Sequence, residues 1–154
     1  MSLLFFTLRM PQPQAGQAIE LKDLIKRDYG LTNWSYDVAR LHITLFNLGQ
    51  EASPERVTLA RHGASSIRAA PFEVEFNRIV SWPDALVLRG DDKPASLIEF
   101  RRQLGAGLKR IWPDRLQPSG FTPHVTLMRG ATPVEDLQVR SFRWVVRDFA
   151  LVYS

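Results

Sequence analysis

The sequence contains no cysteine, and that absence removes disulfides, thiolate zinc sites and a cysteine nucleophile together. A reducing cytoplasm suits such a chain and is the expected location. No apolar run approaches the roughly 20 residues of a membrane-spanning helix. The opening SLLFF is shorter than a secretory core, follows no basic residue and soon meets Arg9 and Pro11, so it reads as a strand and no membrane partner is expected. Charge of one sign is scarce as well: 20 Lys and Arg face 16 Asp and Glu, a net +4. That excess favours anionic ligands in general, but the basic residues are scattered, as in RRQLGAGLKR, and define no nucleic-acid stripe. Histidine is rarer still, with three in 154 residues.

What is present is a repetition. LHITLFNLG, residues 41–49, and FTPHVTLMRG, residues 121–130, both contain the pattern HxTL, as His42-Ile43-Thr44-Leu45 and His124-Val125-Thr126-Leu127. With 7 Thr and 19 Leu in the chain, a given His carries that continuation by composition about once in 180. Two of three histidines carrying it is expected about once in ten thousand such chains, so chance is a poor explanation and a shared task a better one.

The length suits one domain over residues 1–154. SLLFFTLR reads as a first strand ended by the Pro-rich MPQPQ, and AIELKDLIKRDYG as a helix stopped at Gly30. LHITLFN alternates, with His42, Thr44 and Phe46 on one face and Leu41, Ile43 and Leu45 on the other. Ser53, Pro54 and Glu55 start a second helix running to about Arg68. FEVEFNRIV (72–80) and ALVLR (85–89) form a hairpin through Ser81, Trp82, Pro83 and Asp84. Asp91 or Asp92 before Pro94 opens a third helix with an apolar stripe of Leu97, Ile98, Phe100, Leu104 and Leu108, weakened by Gly105 and Gly107. The loop PDRLQPSG leads to the second HxTL strand, and FRWVVRDFALVYS closes the chain with strand interrupted near Arg147 and Asp148. The hairpin breaks any βαβ rhythm, so the expected class is α+β with mostly antiparallel sheet.

On a strand, residues i and i+2 project from the same face about 6.6 Å apart, so His and Thr of each motif stand side by side. If the two strands face each other across a groove, two imidazoles and two hydroxyls converge. Imidazoles titrate near neutrality, and a pair supplies a general base and a general acid at once. Neutral threonine hydroxyls donate hydrogen bonds to non-bridging oxygens. The substrate such a set suits is a phosphodiester. A metal is the competing use of two histidines, but each strand offers one imidazole, neither HExxH nor HxH occurs, and no carboxylate stands at a ligand-like offset. No metal and no cofactor are expected. His62, in ARHGASS, has the context of an exposed helical residue.

Around the motifs the reading stays open. Strict alternation turns Arg129 away from the His and Thr face, yet at a strand end it can swing to a phosphate; it is either a ligand or a solvated charge. Trp34, Tyr36, Phe46, Trp82, Trp112 and Phe121 are candidates for stacking on a base or for the core, with Phe46 and Phe121 best placed beside the motifs.

Together, LHITLFNLG and FTPHVTLMRG resemble the signature pair of the 2H phosphoesterase superfamily, and most closely its 2′,3′-cyclic phosphodiesterases, also called 2′-5′ RNA ligases. The FF of the first strand, PFEVEFNRIVSWP and LVYS extend the resemblance over almost the whole chain. The resemblance implies a two-lobed α+β fold with pseudo-twofold symmetry, helices outside and a central cleft. It also implies metal-independent opening of a 2′,3′-cyclic phosphate, with 2′-5′ ligation as a related activity. Carried over, His124 is the base, His42 the acid, and Thr44 and Thr126 hold the phosphoryl oxygens. The chain departs from the pattern in stopping at Ser154, the last residue of LVYS, in Met128 where a small residue is usual, and in lacking a concentrated basic patch. Those departures favour a small cyclic nucleotide or an oligonucleotide end over long RNA as the partner, and a monomer is expected. A non-catalytic module that binds nucleotides or RNA ends in the same cradle is the alternative.

Overall fold

The computed structural model describes residues 3–50, 52–91, 94–109, 120–130 and 134–153. Strand β1 (Leu3–Arg9) leads into helix α1 (Gln14–Tyr29), and a 3-10 turn over Val38–Arg40 precedes β2 (His42–Gln50). Then follow α2 (Pro54–Ala64), β3 (Phe72–Trp82), β4 (Ala85–Arg89), α3 (Ala95–Lys109), β5 (Val125–Arg129), β6 (Leu137–Val146) and β7 (Ala150–Tyr153). The class is α+β, as expected. The strands form one sheet in the order β6-β3-β4-β5-β2-β1-β7, and every pairing is antiparallel.

The two motif strands lie side by side at the centre of this sheet rather than opposed across a groove. They meet at one registered pair, Ile43 with Val125. Beyond that seam β2 is flanked by β1 and β7, and β5 by β4, β3 and β6. The two lobes are thus two halves of one sheet, each delivering an HxT strand to the seam.

Local chemistry explains the helix ends. Ser53 accepts a hydrogen bond from the Arg56 N–H at 3.3 Å and Pro54 occupies the first turn of α2, the expected cap. Gly30 ends α1 at φ 63°, a left-handed backbone that favours glycine. Several boundaries differ from the sequence reading: α2 ends at Ala64 rather than about Arg68, and β3 runs on through Ser81 and Trp82. Helix α1 starts at Gln14 because Ala15 and Ala18 pack in the core, a burial that small residues make without a visible apolar stripe. Strand β6 starts at Leu137, and its first half alternates with exposed Gln138 and Arg140, which hid its period. Asp92, Trp112 and the PDRLQPSG loop up to residue 119 lie outside the described residues.

The core holds one face of the seam in place. Ile43, Leu45, Val125 and Leu127 are each at most 2% exposed, worth roughly 1.5–3 kcal/mol apiece. Leu97, Leu104 and Leu108 of α3 are fully buried. Gly105 and Gly107, which read as weak points of that helix, are instead points of close approach. A Cβ on Gly105 would stand 3.0 Å from the Phe46 ring, and one on Gly107 would run into the Gly63 carbonyl oxygen of α2.

Candidate active site

The register at the seam builds the site. Ile43 and Val125 are the one registered antiparallel pair between β2 and β5, so His42 and Thr126 flank it on one side, and Thr44 and His124, the residue just before β5, flank it on the other. All four side chains rise from one face, since Ile43 and Val125 point into the core. Directly opposed residues have Cβ atoms about 5 Å apart and diagonal ones about 7–8 Å. The histidines therefore occupy one diagonal of a small quadrilateral and the threonines the other, related by a local twofold axis. Burial repeats this symmetry: residues 42–46 and 124–128 both run half-buried, buried, half-buried, buried, buried.

The two imidazoles are fixed in the same way. His42 Nδ1 lies 2.6 Å from the Arg40 carbonyl oxygen, and His124 Nδ1 lies 2.8 Å from that of Thr122, each two residues back. A carbonyl only accepts, so Nδ1 carries the proton and donates it. In the neutral ring Nε2 is then the basic atom, available to the face of the sheet. Each ring also leans on an aromatic neighbour: Phe5 of β1 against His42 with centroids 5.5 Å apart, and Trp82 of β3 against His124 at 4.4 Å. Burial pushes the His124 pKa below its ordinary value, and the charges of Arg129, His42 and Arg89 push the same way against the Thr122 carbonyl. The threonine hydroxyls contrast with Thr7, whose Oγ1 donates to the Ile43 carbonyl at 3.1 Å. Neither Thr44 nor Thr126 spends its hydroxyl on a protein partner among the described residues.

Each motif strand carries a β-bulge directly after its threonine. In β2 the register runs Thr7 to Thr44 and then Phe6 to Phe46, leaving Leu45 as the extra residue. In β5 it runs Val87 to Thr126 and then Leu86 to Met128, leaving Leu127. The leucine of each HxTL is thus the inserted residue, and alternation is rephased beyond it. One expectation falls for this reason, and one left open is narrowed. Phe46 does not share the face of His42 and Thr44: it is 5% exposed and packs against Gly105. Arg129 is not turned away but returns to the His and Thr side. Its Nε donates to Tyr36 Oη at 2.9 Å, and the Tyr36 ring stands 6.5 Å from His42. Asn47 holds the matching place on β2 and lines the cleft.

A cleft of about 830 Å³ opens at the Thr44 and His124 pair and runs along β2 past Asn47, with Trp82 and Phe121 on its walls. It extends away from the His42 and Thr126 pair, which adjoins Tyr36 and Arg129. Sequence reasoning missed Arg101 in this cleft. Its guanidinium lies between the rings of Phe46 and Phe121, at 4.1 and 4.2 Å from their centroids, and its Nε donates to the Leu45 carbonyl at 2.8 Å. The available signal was an arginine at a buried position of the α3 stripe, four residues after Leu97 and three before Leu104. Trp34 is 55% exposed and stacks edge-on with Tyr36, while His62 is exposed on α2, as expected. Among the described residues no three His, Asp or Glu side chains gather as metal ligands, and no helix is long and apolar enough to cross a membrane.

The family model of the 2′-5′ RNA ligase superfamily matches residues 11–153, which takes in both HxT strands and the seam between them. The chain belongs to that superfamily, within the 2H phosphoesterases. A search by sequence against curated proteins finds no match. Among solved structures, LigT of E. coli in its apo form superposes with a TM-score of 0.79 at 22% identity, covering 97% of this chain and 86% of that one. LigT complexed with ATP gives 0.77 at 24% identity, with the same coverage. The TT0787 protein of Thermus thermophilus gives 0.73 at 20% identity over 99% and 93% of the two chains. At these identities the superpositions establish a common fold; LigT has also been crystallised with 3′-AMP.

Proposed function

We propose that the protein hydrolyses a 2′,3′-cyclic phosphate on a nucleotide or RNA end, without a metal, using His42 and His124 as an acid and base pair. The observation that carries this reading is the quadrilateral at the seam, with both Nε2 atoms available and both hydroxyls beside them. A phosphoryl group above Ile43 and Val125 would have one imidazole on each side of phosphorus and a threonine hydroxyl toward each non-bridging oxygen. Both motifs come from one chain, a single domain of two lobes, so a monomer suffices.

His124 is the better base because burial and neighbouring cations favour its neutral form. Its Nε2 takes a proton as water attacks phosphorus. His42, protonated on Nε2, gives its proton to the ribose oxygen as the phosphorus–oxygen bond breaks. One water is consumed, and the pair ends with its protonation states exchanged, to be reset through solvent. Thr44 and Thr126 donate to the oxygens on which charge grows, and Arg129, held by Tyr36, adds positive charge on the far side. A 5′-hydroxyl in place of water would form a 2′-5′ phosphodiester by the same proton transfers, the link to ligation. Phe121 and Phe46 both border the space where the nucleoside would lie, Phe46 with the small exposed part of its ring.

The test is incubation of the pure protein with adenosine 2′,3′-cyclic phosphate in EDTA, with chromatography of the products. Conversion to an adenosine monophosphate is expected. Intact substrate held in a tight complex would instead identify a binding module.

A further inference from the structure

The amide of Asn47 is fixed in the cleft by one hydrogen bond, and that bond decides which of its atoms a ligand meets. On β2, Asn47 holds the place that Arg129 holds on β5, three residues past the motif threonine and beyond the bulge. The Gly49 N–H donates to Asn47 Oδ1 at 2.8 Å, an Asx turn that Gly49 closes at φ 98°, a left-handed backbone open to glycine. A backbone N–H only donates, so the accepting atom is the amide oxygen and the other arm is the Nδ2 amino group. Nδ2 has no partner among the described residues, and the side chain is exposed on the cleft wall.

The wall around it is short of acceptors. None of the described residues lining the cleft is acidic. The Leu45 carbonyl already accepts from Arg101 Nε and the Thr122 carbonyl from His124 Nδ1, while Asn47 Oδ1 is held by Gly49. Beyond the His and Thr corner the cleft therefore offers a fixed donor, Nδ2, together with apolar surface from Leu3, which lines the same cleft and is 41% exposed. Asn47 lies three residues past Thr44, at most about 10 Å along a strand, which is the scale of the reach from a ribose phosphate to the outer edge of its base.

We propose that Asn47 reads the base of the bound nucleotide, donating from Nδ2 to a keto oxygen, so that the protein prefers guanine and uracil to adenine and cytosine. Guanine O6 and uracil O4 accept such a bond. Adenine and cytosine carry an exocyclic amino group at the corresponding position, and two donors facing each other are both left unpaired. The proposal rests on the phosphoesterase reading for the placing of the phosphoryl group at the His and Thr corner.

Calorimetric titration of the full chain with the four nucleoside 2′-monophosphates tests it, because comparing guanosine with adenosine and uridine with cytidine holds ring size constant. Within each pair the keto base should bind about tenfold more tightly. N47A should bring both ratios to within about twofold of unity, where that hydrogen bond is gone. N47D keeps one oxygen for the Gly49 N–H and sets a second where Nδ2 stood. It should turn both preferences toward adenosine and cytidine, while its charge weakens all four ligands. An Asn47 that only held the turn would leave both ratios unchanged in N47D. Equal affinities within either pair, a wild-type preference for the amino bases, or ratios unmoved in N47D overturn the proposal. Failure of all four nucleotides to bind overturns it together with the phosphoesterase reading. A keto preference without turnover of the cyclic phosphates keeps the base contact and removes the hydrolase, and turnover without base preference does the reverse.

Discussion

At the residue scale the account turns on which atoms of His42 and His124 face the substrate. The Nδ1 contacts to the carbonyls of Arg40 and Thr122 commit each ring to one tautomer, so H42A and H124A should each lower kcat on a cyclic nucleotide by about 10²–10⁴. The double variant should be little worse than either single one, because the pair works as a unit; steady-state kinetics with EDTA present checks both statements. T44A and T126A each remove one hydrogen bond to a charged oxygen, expected to cost about 10- to 100-fold in kcat/KM.

The His124 pKa sets a pH dependence in two observables. As the base it must be neutral, so the rate should rise with pH through a folded-state pKa below the usual 6.5, and the acid limb of the profile should lie under that value. For stability the sign is the same. Between the depressed folded value and 6.5 the unfolded chain binds more protons than the folded one, so stability contributed by His124 is complete above 6.5 and is lost as pH falls through that window. Urea melts across mildly acid pH should lose this increment in the wild type and not in H124Q.

At the scale of elements, the HxT pairs were legible in the sequence because their spacing is local: i and i+2 share a face whatever the fold. What followed them was not. The bulges at Leu45 and Leu127 are set by how each strand meets its neighbour, and no alternation count reveals an extra residue in a ladder. That is why strict alternation misplaces Phe46, and why it leaves Arg129 open between a phosphate ligand and a solvated charge. Arg101 was hidden for a related reason, since its partners Phe46, Phe121 and the Leu45 carbonyl lie far from it in sequence. Gly107 carries the same lesson with a measurable consequence. By helix propensity alone G107A would stabilise α3 by about 1 kcal/mol, but its Cβ would collide with the Gly63 carbonyl oxygen. Overpacking of this kind costs roughly 1–3 kcal/mol, so thermal melting should show G107A less stable than the wild type. S53A, which removes the side-chain cap of α2, should cost about 1 kcal/mol.

At the scale of the whole molecule, the antiparallel α+β class followed from element order, but the single sheet did not. Its two halves join where Ile43 meets Val125, and that junction converts a repeated tetrapeptide into a site with a local twofold axis. A modest net charge of +4 supplies little steering, so binding should rest on contacts within the cleft rather than on the protein's overall field. The central claim is that both imidazoles reach one phosphoryl group across the seam. NMR of the histidine ring nitrogens during titration with adenosine 2′-monophosphate, the product left when the 3′-oxygen departs, tests it most directly, with exposed His62 as an internal control. The Nε2 signals of His42 and His124 should shift together with one dissociation constant while His62 stays still. A shift of only one motif histidine, or two different midpoints, would contradict the account.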